Sequence, residues 1–111
     1  MEHDDHLGEF EALVLTSVVH AGAGANGTAV YRDIETRTGR AVTLPSVHVT
    51  LRRLEEKGLL TSTVGEPSAR GGRPRRFYRA TAEGIRALRD FQTMWRKAWR
   101  GLRLPGSETR S

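Results

Sequence analysis

Residues 43–58 read TLPSVHVTLRRLEEKG, and this stretch decides the fold. Thr43 carries a side-chain oxygen suited to capping a helix, and Pro45 fits in the first turn, where a missing N–H costs little. Val47, Leu51 and Leu54 recur at helical spacing and form one apolar face. Ser46, His48, Val49, Arg52 and Arg53 lie on or beside the opposite face. Gly58 supplies a stop. The stretch therefore predicts an amphipathic helix with a basic outer face.

Upstream, Thr28 to Thr38 predicts a shorter helix with Val30, Tyr31 and Ile34 inward and Gly39 as its terminator. Gly22 to Gly27 holds three glycines and an Asn-Gly pair, which predicts a loop. Before it, Leu7, Phe10, Val14, Val18 and Ala21 fall on one helical face. Leu13, Leu15 and Val19 widen that face, so this first helix is expected to be well buried. Downstream, Leu59 to Val64 and Arg75 to Ala80 predict two strands. Gly65 to Pro74 joins them with three glycines and two prolines, which suits a long hairpin tip. Thr81 can cap a last helix, and Glu83 suits its first turn. That helix is expected to end at Leu104, Pro105 and Gly106. The resulting plan is an acidic, flexible N-terminus (1–6), a DNA-binding unit (7–80), a C-terminal helix (81–103) and a flexible tail (104–111).

Composition narrows the function. A chain of 111 residues suits one domain with a limited core, a size at which oligomerisation often adds burial. The absence of cysteine excludes disulfides, zinc-thiolate centres and cysteine nucleophiles. Leu13 to Val19, the longest apolar stretch, is broken by Thr16 and Ser17 and is too short to span a bilayer. The polar start is unlike a signal peptide, so a cytoplasmic location is expected. Net charge is +5, unevenly spread: residues 1–39 balance at −5, residues 40–79 at +6 and residues 80–111 at +4. A basic central block on a folded chain points to a polyanionic partner, against the plainer alternative of a solvated surface.

Three helices, a hairpin and a fourth helix form the plan of a winged helix-turn-helix: mainly α, with a small β-hairpin and a C-terminal dimerisation helix. In that plan the third helix enters the major groove and the hairpin touches the adjacent backbone. Arg52 and Arg53 can hold phosphates or fork onto guanine edges. Thr43 and Ser46 lie where a helix N-terminus favours phosphate. Arg70, Arg73, Arg75, Arg76 and Arg79 arm the hairpin. The competing reading is a winged-helix module that binds an acidic protein, which would expose an apolar patch at the same place. His3, Asp4, Asp5 and His6 have metal-ligand chemistry, but a charged terminus of this kind usually only solvates. No metal, cofactor or catalytic arrangement is assigned, and an enzyme is not expected.

The segments TLPSVHVTLRRLEEKG and GGRPRRFYRATAEG, with the final helix, resemble the PadR family of bacterial transcriptional regulators over roughly residues 7–102. The paired signatures are Leu51 to Leu59 and Arg76 to Gly84. The short C-terminal part resembles the small subclass with one C-terminal helix. The resemblance implies dimeric repressors, joined through the first and last helices, some with a small planar effector at the dimer centre. The chain departs from the family where the recognition helix starts. Pro45-Ser46-Val47-His48-Val49 replaces the usual Gly-Thr/Ser-Leu-Tyr-Pro, so His48 stands for a tyrosine, and Thr28 stands where tyrosine is common. Base preference is therefore not transferable from relatives.

In the last helix, Leu88, Phe91, Trp95, Ala98, Trp99 and Leu102 cluster within about 60° of Trp95 at 100° per residue. Arg86, Arg89, Lys97 and Arg100 fall opposite. This broad aromatic stripe is expected to pack on a partner subunit in a homodimer that reads a near-palindromic operator in double-stranded DNA. A sharper expectation is that Trp95, with Trp99 and Phe91, clamps a small planar aromatic effector across the two-fold axis.

Overall fold

The elements run in the order α1 (Glu9–Ala21), a single 3₁₀ turn (Gly22–Gly24), α2 (Gly27–Thr38), α3 (Leu44–Glu56), β1 (Leu60–Val64), β2 (Arg76–Ala80) and α4 (Ala82–Trp99). The computed structural model describes residues 7–66 and 74–106. The fold is mainly helical with one antiparallel hairpin, the arrangement of a winged helix.

Local chemistry explains each boundary. Asn26 Oδ1 accepts the Ala29 N–H (2.9 Å) and starts α2 one residue earlier than its sequence pattern suggests. Thr43 Oγ1 accepts the Ser46 N–H (3.2 Å) and starts α3. At the far end of α3, Gly58 adopts φ 81°, the left-handed region that a side chain would resist. Its N–H reaches Glu55 O, and the Leu59 N–H reaches back to Leu54 O at 2.9 Å. These paired bonds satisfy the orphan carbonyls and aim the chain into β1.

The core is built where α1, α2 and α3 meet. Val14, Leu15, Val30, Ile34, Val47, Leu51 and Leu54 are fully buried there. Strand alternation adds Leu60 and Tyr78 from the hairpin, whose register runs from Leu60↔Ala80 to Val64↔Arg76. The other edge of β2 is not left open, because the Tyr78 N–H donates to Ala25 O (2.9 Å) between α1 and α2. The wing is thereby fixed to the helical body at its root.

α4 docks through its first turn. Thr81 Oγ1 accepts the Gly84 N–H (3.0 Å) and donates to Gly58 O (2.7 Å). Gly84 is buried with its Cα facing the Leu59 carbonyl, so closely that a Cβ would overlap that oxygen.

Two expectations need correction. Val19 was expected within the buried face of α1, yet it is 46% exposed. It borders a groove between α1 and α4, with Leu13, Leu88 and Phe91, that none of the described residues fills. The last helix ends at Trp99 and not at Leu104. Arg100 is extended (ψ 127°) and Gly101 takes φ 76°, a combination that unwinds the backbone before Leu102. Leu102 therefore leaves the helical stripe to which its spacing assigned it.

Glu11 ties the two ends of the helical body together. One carboxylate oxygen accepts the Gly8 N–H (2.9 Å) and the other pairs with Lys57 Nζ (2.8 Å) at the end of α3. Burial alone would raise its pKa. The Lys57 hydrogen bond, the Gly8 N–H and the charges of Lys57 and Arg53 outweigh burial and hold it below its ordinary 4.5. A depressed carboxylate stabilises the fold above its unfolded pKa, and that contribution disappears as pH falls through the folded value. Glu11→Gln is expected to cost about 1 kcal/mol near neutral pH. Below pH 4.5 the gap between variant and wild type should close, as followed by denaturant unfolding across pH. A gap that persists in acid would show that the charge is irrelevant.

Candidate nucleic-acid interface

The helical period of α3 separates its two faces cleanly. Val47, Thr50, Leu51 and Leu54 are buried, while His48, Val49, Arg52 and Arg53 are exposed. Val49 is half exposed although apolar, so an aliphatic group stands between charged neighbours on this face. Thr43 and Ser46 are more occupied than their types suggested. Thr43 Oγ1 holds the Ser46 N–H, and Ser46 Oγ donates to Thr43 O (2.8 Å). Their first role is to cap α3.

His48 does not simply project outward. Its ring lies against Gly27 at the start of α2, so closely that a Cβ on Gly27 would displace it. His48 shares a cleft with Thr28 and with Arg75 and Arg76 of the wing root. The recognition helix, the N-terminus of α2 and the hairpin thus converge on one concave, basic surface.

Electrostatic sorting sharpens that surface. Arg40 is drawn to α1, where it pairs with Glu9 (3.5 Å) and stacks over the Phe10 ring (5.5 Å). Lys57 is paired with Glu11, and Arg37 with Asp33 (2.8 Å). Among the described residues, Arg52, Arg53, Arg75, Arg76 and Arg79 have no carboxylate partner within salt-bridge distance. Uncompensated arginines gathered on a helix face and its adjoining hairpin are suited to phosphate oxygens and base edges.

Two polar residues that the sequence reading passed over belong here. Arg76 Nη1 donates to Ser62 Oγ (3.0 Å), and Ser62 Oγ donates to Glu55 Oε2 (2.8 Å) on α3. Alternation offered a signal for one of them. Ser62 follows Leu60 on the inward face of β1, and a hydroxyl at a core-facing position calls for a partner. The Tyr78 phenol lies in the same neighbourhood. Burial raises its pKa above the ordinary value, the Glu55 charge adds to that, and Arg76 and Arg52 act against it.

Arg70 and Arg73 lie outside the described residues, as do His3, Asp4, Asp5 and His6. Among the described residues no cluster of three His, Asp or Glu side chains could hold a metal ion, and no helix is long and apolar enough to cross a membrane.

The aromatic stripe of α4 forms a ladder. Phe91 and Trp95 have ring centroids 6.2 Å apart, and Trp95 and Trp99 meet edge to face at 5.9 Å. Phe91 is partly covered by the core, whereas Trp95 and Trp99 are 43% and 54% exposed. Met94 adds to the apolar surface at 46%.

Comparison with known proteins agrees with this geometry. No curated protein matches the chain in sequence. A PadR family transcription regulator of Clostridium difficile superposes with TM-score 0.71 at 21% identity, covering 84% of this chain and 93% of that one. A PadR family transcriptional regulator of Eggerthella lenta is 28% identical, with TM-score 0.66 and coverage of 84% and 81%. A PadR-like regulator of Bacillus cereus shares the fold at 20% identity, with TM-score 0.65 and coverage of 80% and 82%. The transcriptional regulator PadR-like family matches residues 15–90, a span that runs from the middle of α1 through the first half of α4. The chain belongs to the PadR-like family of transcriptional regulators.

Proposed function

We propose that this regulator represses transcription as a homodimer that reads a near-palindromic site in double-stranded DNA. The observation that carries the reading is the uncompensated basic face of α3 set beside the arginines of the wing. Residues 7–80 act as the DNA-binding unit, in the cytoplasm alongside the DNA. His48, Val49, Arg52 and Arg53 face bases, Thr43 and Ser46 sit at the phosphate end of the helix, and Arg70, Arg73, Arg75 and Arg76 hold the backbone. Selection of bound fragments from random DNA tests this directly. Each phosphate neutralised should add about 0.9 to the slope of log affinity against log salt. Fragments with no common motif, or a slope near zero, would refute it.

Apolar surface that the described residues leave uncovered supports a dimer. Val19, Met94, Trp95, Trp99 and Leu102 are each about half exposed. Apolar area of this kind on a small domain favours a second copy, through α4 and α1 of the partner. Solution mass should be twice 12.3 kDa. Two recognition helices would then stand ~34–36 Å apart, one DNA turn.

Within that interface, Trp95, Trp99 and Phe91 offer ring faces to a small planar aromatic effector that releases the DNA. Trp95→Ala is expected to preserve the dimer and its DNA binding while abolishing quenching of the remaining indole by planar aromatic cations. Light scattering and fluorescence titration check this. A variant that runs as a monomer would make Trp95 an interface anchor instead.

A further inference from the structure

We infer that Glu55 and Ser62 are positioning residues for DNA binding, holding the guanidinium of Arg76 at a set place beside the outer face of α3. The inference rests on the proposed DNA-binding function and assigns a role to residues outside the contact set.

The geometry is a short relay between two elements. Glu55 lies on α3, three residues beyond Arg52 and on the same side of the helix. Its carboxylate accepts from Ser62 on β1 at 2.8 Å, and Ser62 in turn accepts from Arg76 on β2 at 3.0 Å. Ser62 pairs with Tyr78 in the hairpin register, so Arg76, two residues earlier in β2, lies diagonal to Ser62 on the same face. Arg76 is exposed, whereas Glu55 and Ser62 are half buried. The relay therefore has an anchored end in the body and a working end at the surface. Without it, Arg76 is a long, exposed side chain at the first position of β2, with several rotamers open to it. Ordering it in advance removes part of the entropy lost when it meets a phosphate. The buried root of the wing, at Tyr78 and Ala25, fixes the strand, and the relay fixes the side chain.

An acid on a DNA-binding face makes the test decisive, because two explanations predict opposite signs. If Glu55 acted only through its charge, removing it would relieve repulsion with phosphate and tighten binding. Positioning requires the reverse. The experiment measures affinity of the full chain for a fragment selected from random DNA, with dimer mass and thermal midpoint recorded for each variant. Glu55→Ala should bind more weakly. Ser62→Ala, which changes no charge, should lose roughly three- to tenfold, the size of one hydrogen bond. Ser62→Thr, which keeps the hydroxyl, should restore binding. In an Arg76→Ala background, Ser62→Ala should cause no further loss. If Glu55→Ala fails to fold, the Ser62 pair of variants and the double variant still decide. Tighter binding by Glu55→Ala, unchanged binding by Ser62→Ala, or additive losses in the double variant would each overturn the inference while leaving DNA binding intact. A wild-type chain that binds no DNA would overturn the function itself, and this role with it.

Discussion

Gly84→Ala should be among the most damaging single substitutions in the chain, lowering stability by ~3 kcal/mol or more, at the upper end of overpacking. For a domain of this size that is a fall of more than about 10 °C in thermal midpoint. The reason is that the obstacle is backbone. A Cβ at Gly84 runs into the carbonyl of Leu59, which cannot swing aside as a side chain can. Leu59 is itself held, because its N–H closes the end of α3 and its carbonyl accepts the Thr81 N–H (3.1 Å). Relief must come from lifting α4 away from the body, which would loosen the packing of Ala87, Leu88 and Phe91 on the core and weaken the platform for the aromatic stripe. Gly24→Ala is the control. Nothing lies within 4 Å of a Cβ there, and the change should fall within a few tenths of a kcal/mol of wild type. Thermal unfolding of both variants settles the point. A Gly84→Ala protein as stable as Gly24→Ala would show that α4 does not depend on this close approach.

Arg52→Ala is expected to cost about 1–3 kcal/mol of binding free energy on the selected site, roughly fivefold to more than a hundredfold in affinity. On random DNA the loss should be far smaller, that of one phosphate contact. Arg52 is exposed on α3 and has no carboxylate partner among the described residues, so its guanidinium is open to DNA. Arg40 provides the contrast. Its charge is engaged by Glu9 and by the Phe10 ring, and Arg40→Ala should leave affinity on both DNAs nearly unchanged. Titrations of both variants against selected and random fragments test the pair. Equal losses for Arg52→Ala on the two DNAs would reduce it to a backbone contact.

The contrast between Arg52 and Arg40 shows where a linear reading stops. Both arginines belong to the same basic block in the sequence. Only folding brings Glu9 and Phe10 to one of them, because the pairing joins residues more than thirty positions apart. His48 teaches the same lesson. Its place on the outer face of α3 was legible from helical period, but its ring is seated by the bare Cα of Gly27 on another helix. Glu55 and Ser62 were passed over because each looks ordinary alone, a charge on a helix and a hydroxyl on a strand. Their meeting at 2.8 Å depends on how the hairpin lies across the end of α3.

Features under the control of local forces are written in the order of the residues. The caps at Thr43 and Thr81, the turn at Gly58 and the inward faces of α2 and α3 follow from bonds and periodicities that span a few residues. Those elements in that order suffice for the winged-helix plan. Packing of distant elements set which apolar groups remain uncovered, and which arginines lack a carboxylate partner, among the described residues. Val19 shares the apolar pattern of the buried Val18, and Trp95 that of the partly buried Phe91, yet both stay exposed because one small domain has too few layers to cover both α1 and α4. Leu102 shares the stripe's spacing, but the positive φ of Gly101 carries it off the helix. Periodicity tells which face of a helix is apolar. What covers that face is set by the packing of elements distant in sequence, and local propensity holds no record of it.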